Sequence, residues 1–142
     1  MDNIIAKAET LLEALPYVQR FRGETFVIKY GGSFMDSTDP AVRGGVARDI
    51  VFLEAVGINP VVVHGGGKAV TRALEQAGVK TRFEQGHRVT TPESLEVVEQ
   101  VLSREVNPGI VSMINELGGR ARGFSGTEIF RCKSFRPLGQ TG

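Results

Sequence analysis

Lys29 stands two residues ahead of the pair Gly31-Gly32, at the end of the β-branched run Thr25–Tyr30. A second apolar run, 58–63, ends in His64-Gly65-Gly66-Gly67. Glycine clusters placed directly after such runs mark loops where a backbone must approach something closely. In a strand-to-helix loop the exposed N–H groups, with a helix N-terminus behind them, favour an anion. A lysine on the strand feeding that loop is poised to neutralise phosphate charge. One such loop is weak evidence. Two on the first two strands of one sheet would converge at the edge where open α/β sheets bind ligands.

Named phosphate motifs are absent. A Walker A loop needs G-x-x-x-x-G-K-[ST], but Gly67-Lys68 is followed by Ala69 and preceded five residues earlier by Val62. A dinucleotide fingerprint needs G-x-G-x-x-G, and Val70 stands where the last glycine should be. Ser33 and Ser125 lie in glycine loops without a nucleophile elbow. Two histidines with no carboxylate pattern beside them predict no metal site. His64, after a buried strand, reads as a hydrogen-bonded structural histidine and His87 as exposed. Arg88 on its own would read as a surface arginine pairing with Glu84 or Glu93. The first two glycine clusters read as ligand loops, while Gly44-Gly45 and Gly118-Gly119 read as backbone and packing features.

Composition narrows the class. The chain of 142 residues has 18 glycines, about 13% against a usual share near 7%. Seventeen basic and sixteen acidic residues leave a net charge of +1, which argues against a nucleic-acid partner. The single cysteine, Cys132, predicts a reduced, cytoplasmic setting and a small edge or core residue rather than a nucleophile. No apolar run approaches the roughly 20 residues that span a bilayer, so no membrane partner is expected.

The elements that must hold these loops follow from periodicity. Residues 3–15 have helical spacing, with Pro16 as the expected stop. Asp39-Pro40 opens a helix that runs to Gly57. Residues 58–63 read as a strand buried on both faces. A helix follows the second glycine loop and closes at Gly78, and 82–90 reads as a hairpin-like excursion around Gly86. Thr91-Pro92 and Asn107-Pro108 each open a further helix, and 121–124 and 129–133 read as closing strands. This alternation predicts an α/β fold, a mostly parallel sheet sandwiched by helices. Residues 1–20 form an N-terminal helix outside the alternation, a candidate oligomerisation or regulatory arm, and 21–142 form the domain proper.

Lys29-Tyr30-Gly31-Gly32-Ser33 followed by Val62-Val63-His64-Gly65-Gly66-Gly67 resembles the amino-acid kinase superfamily. Gly86-His87-Arg88-Val89-Thr90, and Ala14-Leu15-Pro16-Tyr17 ahead of Phe26-Val27-Ile28-Lys29, narrow the resemblance to the N-acetylglutamate kinases. The resemblance implies the N-terminal, amino-acid-binding domain of that fold, ending before the ATP-binding domain. It implies ATP-dependent phosphorylation of the side-chain carboxylate of N-acetyl-L-glutamate in arginine synthesis, with Mg²⁺. Lys29 then matches the transition-state lysine, and Gly31 and Gly32 match phosphate donors. Gly66 and Gly67 match donors to the substrate, and Arg88 matches the arginine that grips its α-carboxylate, for which a planar fork is suited. The first helix resembles that of arginine-inhibited enzymes, which implies a homo-oligomer, dimer or hexamer, and arginine as feedback inhibitor. An asparagine, an aspartate and a second lysine of the family's site would lie beyond Gly142, so this chain alone should not turn over. Phe124-Ser125-Gly126-Thr127-Glu128 and Asn107-Pro108-Gly109 depart from the family's usual lysine-containing versions. The competing expectations are a kinase for aspartate or glutamate, and a non-catalytic binding or oligomerisation module.

Overall fold

Two strands, β1 (Thr25–Tyr30) and β2 (Asn59–His64), pair in parallel in a computed structural model that describes residues 2–32 and 37–131. The register sets Lys29 opposite Val63 and Tyr30 opposite His64, so the glycine loops after both strands leave from the same sheet edge. The crossover between them is α2 (Pro40–Ala55), following the N-terminal helix α1 (Asp2–Phe21). Asp39 fixes its start, because Oδ1 accepts from the Ala41 N–H at 2.8 Å and Pro40 needs no donor partner there. Gly57, at φ +89°, turns the chain out of it.

The glycine loop after β2 runs straight into α3 (Gly67–Gln76), which buries Val70 and Leu74. Strands β3 (Arg82–Glu84) and β4 (His87–Val89) form the expected hairpin. Its turn residues Gln85 and Gly86 both have positive φ, as a tight two-residue turn matching strand twist requires. Thr91 and Ser94 then cap α4 (Pro92–Gln100) reciprocally: Thr91 Oγ1 accepts from Ser94 N–H, and Ser94 Oγ accepts from Thr91 N–H at 2.8 Å.

Two apolar clusters hold these pieces. Tyr30, Ala47, Ile50, Ile110 and Ile114 pack one face of the sheet against α2 and α5 (Asn107–Glu116). Val70, Leu74 and Val101 join α3 to the end of α4 and to the turn that follows it.

Five expectations change. The first helix continues through Pro16 to Phe21. Proline removes one donor to the Leu12 carbonyl, and Leu12 is itself exposed, so water can serve that oxygen. Its apolar residues Ile4, Ile5, Leu11 and Leu12 are 56–73% exposed. Strand β2 is half-buried on alternate residues only, and Val27, Val61 and Val63 leave the second sheet face exposed. The helices opened by Thr91 and Asn107 are one continuous rod, joined by a π-helical segment, Val101–Val106. Pro108 cannot donate to the Arg104 carbonyl and would crowd it; a wider turn just ahead relieves that crowding. Residues 121–124 form no strand, because Asn115 ties the Ala121 backbone at both its N–H and its carbonyl. The last expected strand begins instead inside a short helix, α6 (Gly126–Ile129), capped by Ser125 and Glu128. Cys132 and Lys133 lie outside the described residues.

Candidate functional site

Lys29 leaves β1 on the uncovered sheet face, and its ammonium folds back over the loop that follows. A Cβ built on Gly31 would lie 3.4 Å from Lys29 Nζ. The first predicted group, a lysine beside the Gly31-Gly32 backbone, is therefore assembled within one strand end. Gly31 and Gly32 are half-buried.

The second glycine loop is built differently. Gly66 caps α3 with extended backbone, and its carbonyl accepts from Val70 N–H at 2.9 Å. A Cβ on Gly66 would stand 2.7 Å from Leu102 Cδ2 and 3.2 Å from Val106 Cγ2, while Gly65 and Gly67 face open space. Gly66 is thus a packing requirement as well as the first residue of a helix N-terminus. That terminus leaves its leading N–H groups unpaired within the helix and carries positive partial charge.

Arg88, on β4, reaches this terminus. Its Nη2 donates to Thr71 Oγ1 at 2.7 Å and lies 3.4 Å from the Gly67 carbonyl. Thr71 Oγ1 in turn donates to the Gly67 carbonyl at 2.9 Å. Phe83 is the cross-strand partner of Arg88, and the guanidinium carbon sits 4.7 Å from its ring centroid. Glu84 pairs with Arg82 instead. The other guanidinium nitrogen, Arg88 Nη1, is buried with no hydrogen-bond partner among the described residues. A buried guanidinium N–H without an acceptor is costly, and an anionic oxygen is the acceptor that suits it best.

His64 fills the structural role expected of it. Asn107 Nδ2 lies 3.1 Å from Nε2, and the Gly65 carbonyl lies 2.9 Å from Nδ1. An amide NH₂ only donates, so Nε2 accepts and the ring proton sits on Nδ1. A side chain on Gly123 would run into Asn107 Oδ1. A cavity of about 210 Å³ lies beside these residues, walled by Val62, His64, Asn107, Ile110 and Ala121. It lies between β2, α2, α5 and residues 120–123 and includes neither Lys29 nor Arg88. Tyr30, at the end of β1, is 2% exposed and its hydroxyl has no partner among the described residues. Burial pushes its pKa up from 10.0, and the Arg43 charge partly opposes that.

Thr71 and Phe83 are the residues that sequence reasoning missed. Thr71 sits four residues after Gly67 on one helix, and Phe83 faces Arg88 across a turn at Gly86; helical and hairpin spacing carried both signals. The described residues contain no cluster of three His, Cys, Asp or Glu side chains. Among the described residues no such group is placed to hold Mg²⁺ by itself.

Residues 24–136 match the family described as the Amino acid kinase family. The acetylglutamate kinase of Akkermansia muciniphila is 50% identical over 130 residues, 92% of this chain and 43% of that protein. The chain spans 43–47% of the first curated relatives it matches, less than half their length. Among solved structures, N-acetylglutamate synthase from Neisseria gonorrhoeae complexed with coenzyme A and N-acetyl-glutamate superposes with a TM-score of 0.57 at 25% identity, covering 77% of this chain and 24% of the other. The same enzyme complexed with coenzyme A and L-arginine gives 0.54 at 26% identity, covering 80% and 26%. With the matched residues spanning both glycine loops and the Arg88 hairpin, the chain belongs to the amino acid kinase family.

Proposed function

We propose that this chain is the amino-acid-binding half of an acetylglutamate kinase, which transfers the γ-phosphoryl group of ATP to the side-chain carboxylate of N-acetyl-L-glutamate. The observation that carries the reading is Arg88, whose Nη2 is tied to the N-terminus of α3 and whose Nη1 is buried with no hydrogen-bond partner among the described residues. The α-carboxylate of the substrate is that acceptor. The N–H groups of Gly66 and Gly67 hold the substrate beside it, in the field of the helix dipole.

The reaction asks little covalent chemistry of the protein. The side-chain carboxylate is already ionised, so no base has to remove a proton, and its oxygen attacks the γ-phosphorus in line. Lys29 places its ammonium against the transferring group and balances the charge there, with Gly31 and Gly32 N–H groups beside it. The nucleotide's own partners belong to a second domain beyond the present sequence, and Mg²⁺ travels with its phosphates. The 50% identity to an acetylglutamate kinase supports this substrate over aspartate or glutamate.

Regulation belongs to the same reading. The exposed apolar residues of α1 serve as an oligomerisation arm, and arginine acts as a feedback inhibitor. The neighbour crystallised with L-arginine supports the second point. A cytoplasmic enzyme fits the biosynthetic role, and no described helix is long and apolar enough to cross a membrane.

The test is calorimetric titration of the full-length protein with N-acetyl-L-glutamate, coupled to a phosphorylation assay with ATP. The Arg88→Met variant should weaken binding by about tenfold or more, the cost of losing a charge-assisted pair. Preferential phosphorylation of free aspartate or glutamate would overturn the assignment.

A further inference from the structure

We infer that Thr71 and Phe83 are positioning residues that hold the Arg88 guanidinium in place for the substrate carboxylate. The inference rests on the acetylglutamate kinase reading and adds to it how the arginine is aimed.

An arginine side chain has many rotamers, and fixing it on binding costs entropy that weakens affinity. Here both degrees of freedom that matter are settled in advance. The guanidinium carbon lies 4.7 Å from the Phe83 ring centroid, a cation–π contact that holds the group against the ring. The Phe83–Arg88 register makes that contact obligatory, because directly opposed residues share one sheet face. Rotation within the plane is set by Thr71, which takes Nη2 at 2.7 Å. Thr71 has one hydroxyl proton, and it is spent on the Gly67 carbonyl at 2.9 Å, so its oxygen can only accept from Arg88. The hydroxyl therefore ties the arginine to the same turn whose N–H groups hold the substrate. With Nη2 occupied and the ring against the group, Nη1 is the guanidinium nitrogen with no hydrogen-bond partner among the described residues.

Neither contact touches substrate, so their loss should raise KM for the acid and leave kcat and KM for ATP nearly unchanged. Thr71→Val keeps the volume and removes the hydroxyl. In the full-length protein it should raise KM for N-acetyl-L-glutamate about tenfold, the value of a hydrogen bond to a charged group. Thr71→Ser should restore it to within about twofold, since the hydroxyl returns. Phe83→Leu should raise the same KM about threefold, in line with a partly exposed cation–π contact. Thermal melting of each variant separates this from loss of fold, and a purely structural threonine would not be rescued in KM by serine at equal melting temperature. An unchanged KM in Thr71→Val, or a parallel fall in kcat, overturns the inference while leaving the kinase reading intact. A wild-type protein that fails to bind N-acetyl-L-glutamate overturns both.

Discussion

The two glycine loops leave the same sheet edge, yet they are glycine for different reasons. After β1, among the described residues only the tip of a flexible lysine crowds Gly31, so the small residue keeps space for Lys29. After β2, Gly66 is wedged against Leu102 and Val106 of the π-helical turn, and a methyl group there has no room. In the proposed reading the first loop leaves room for the transferring group, while Gly66 in the second is fixed by the core behind it as well. Glycine doublets that look alike in a sequence can thus report function, packing or both, and substitution distinguishes them.

The largest expected contrast is catalytic. In the full-length protein Lys29→Ala should lower kcat about 10²–10³-fold with little change in KM for the acid, as loss of a preorganised transition-state charge does. Steady-state kinetics that kept kcat within threefold of wild type would make the first loop a simple turn. The next contrast lies within the second loop. Gly66→Ala should cost about 1–3 kcal/mol by overpacking, whereas Gly67→Ala, with open space at the same distance, should be neutral or slightly stabilising. Urea midpoints for the two variants would have to coincide for this account to fail.

The smallest effect belongs to Tyr30, which ends the first strand inside the core. Removing its unpartnered hydroxyl as Tyr30→Phe should leave stability unchanged or raise it by up to about 1 kcal/mol. The pH dependence has a definite sign. Below pH 10.0 both states keep the phenolic proton and the contribution is intact. Above it the unfolded chain ionises first, because burial raises the folded pKa, so stability falls as pH rises toward that folded value. Melting temperatures of wild type and Tyr30→Phe should diverge at alkaline pH, wild type falling faster; parallel curves would show that Tyr30 is not titrating as a buried group.

Local signals made most of this readable. The Asp39-Pro40 start, the Gly57 exit, the hairpin around Gly86 and the glycine loops are set by neighbours in sequence, so backbone rules suffice. What escaped depended on partners far along the chain. Asn115 reaching Ala121 replaced an expected strand with an irregular segment. The first helix ran through Pro16, where the Leu12 whose carbonyl loses its donor is an exposed residue. The family resemblance suggested a carboxylate role for Arg88, but that it would meet Thr71 rather than Glu84 or Glu93 depended on how the hairpin docks on α3. Pattern alone does not carry that information.

The π-helical segment has one more consequence. Val98, Leu102, Val106, Ile110 and Ile114 recur every four residues along the continuous rod. In an ordinary α-helix a strict four-residue repeat drifts about 40° around the axis at each step. The wide turn underwinds the rod midway and takes out part of that drift. One seam can then serve both apolar clusters, with Val106 the residue they share.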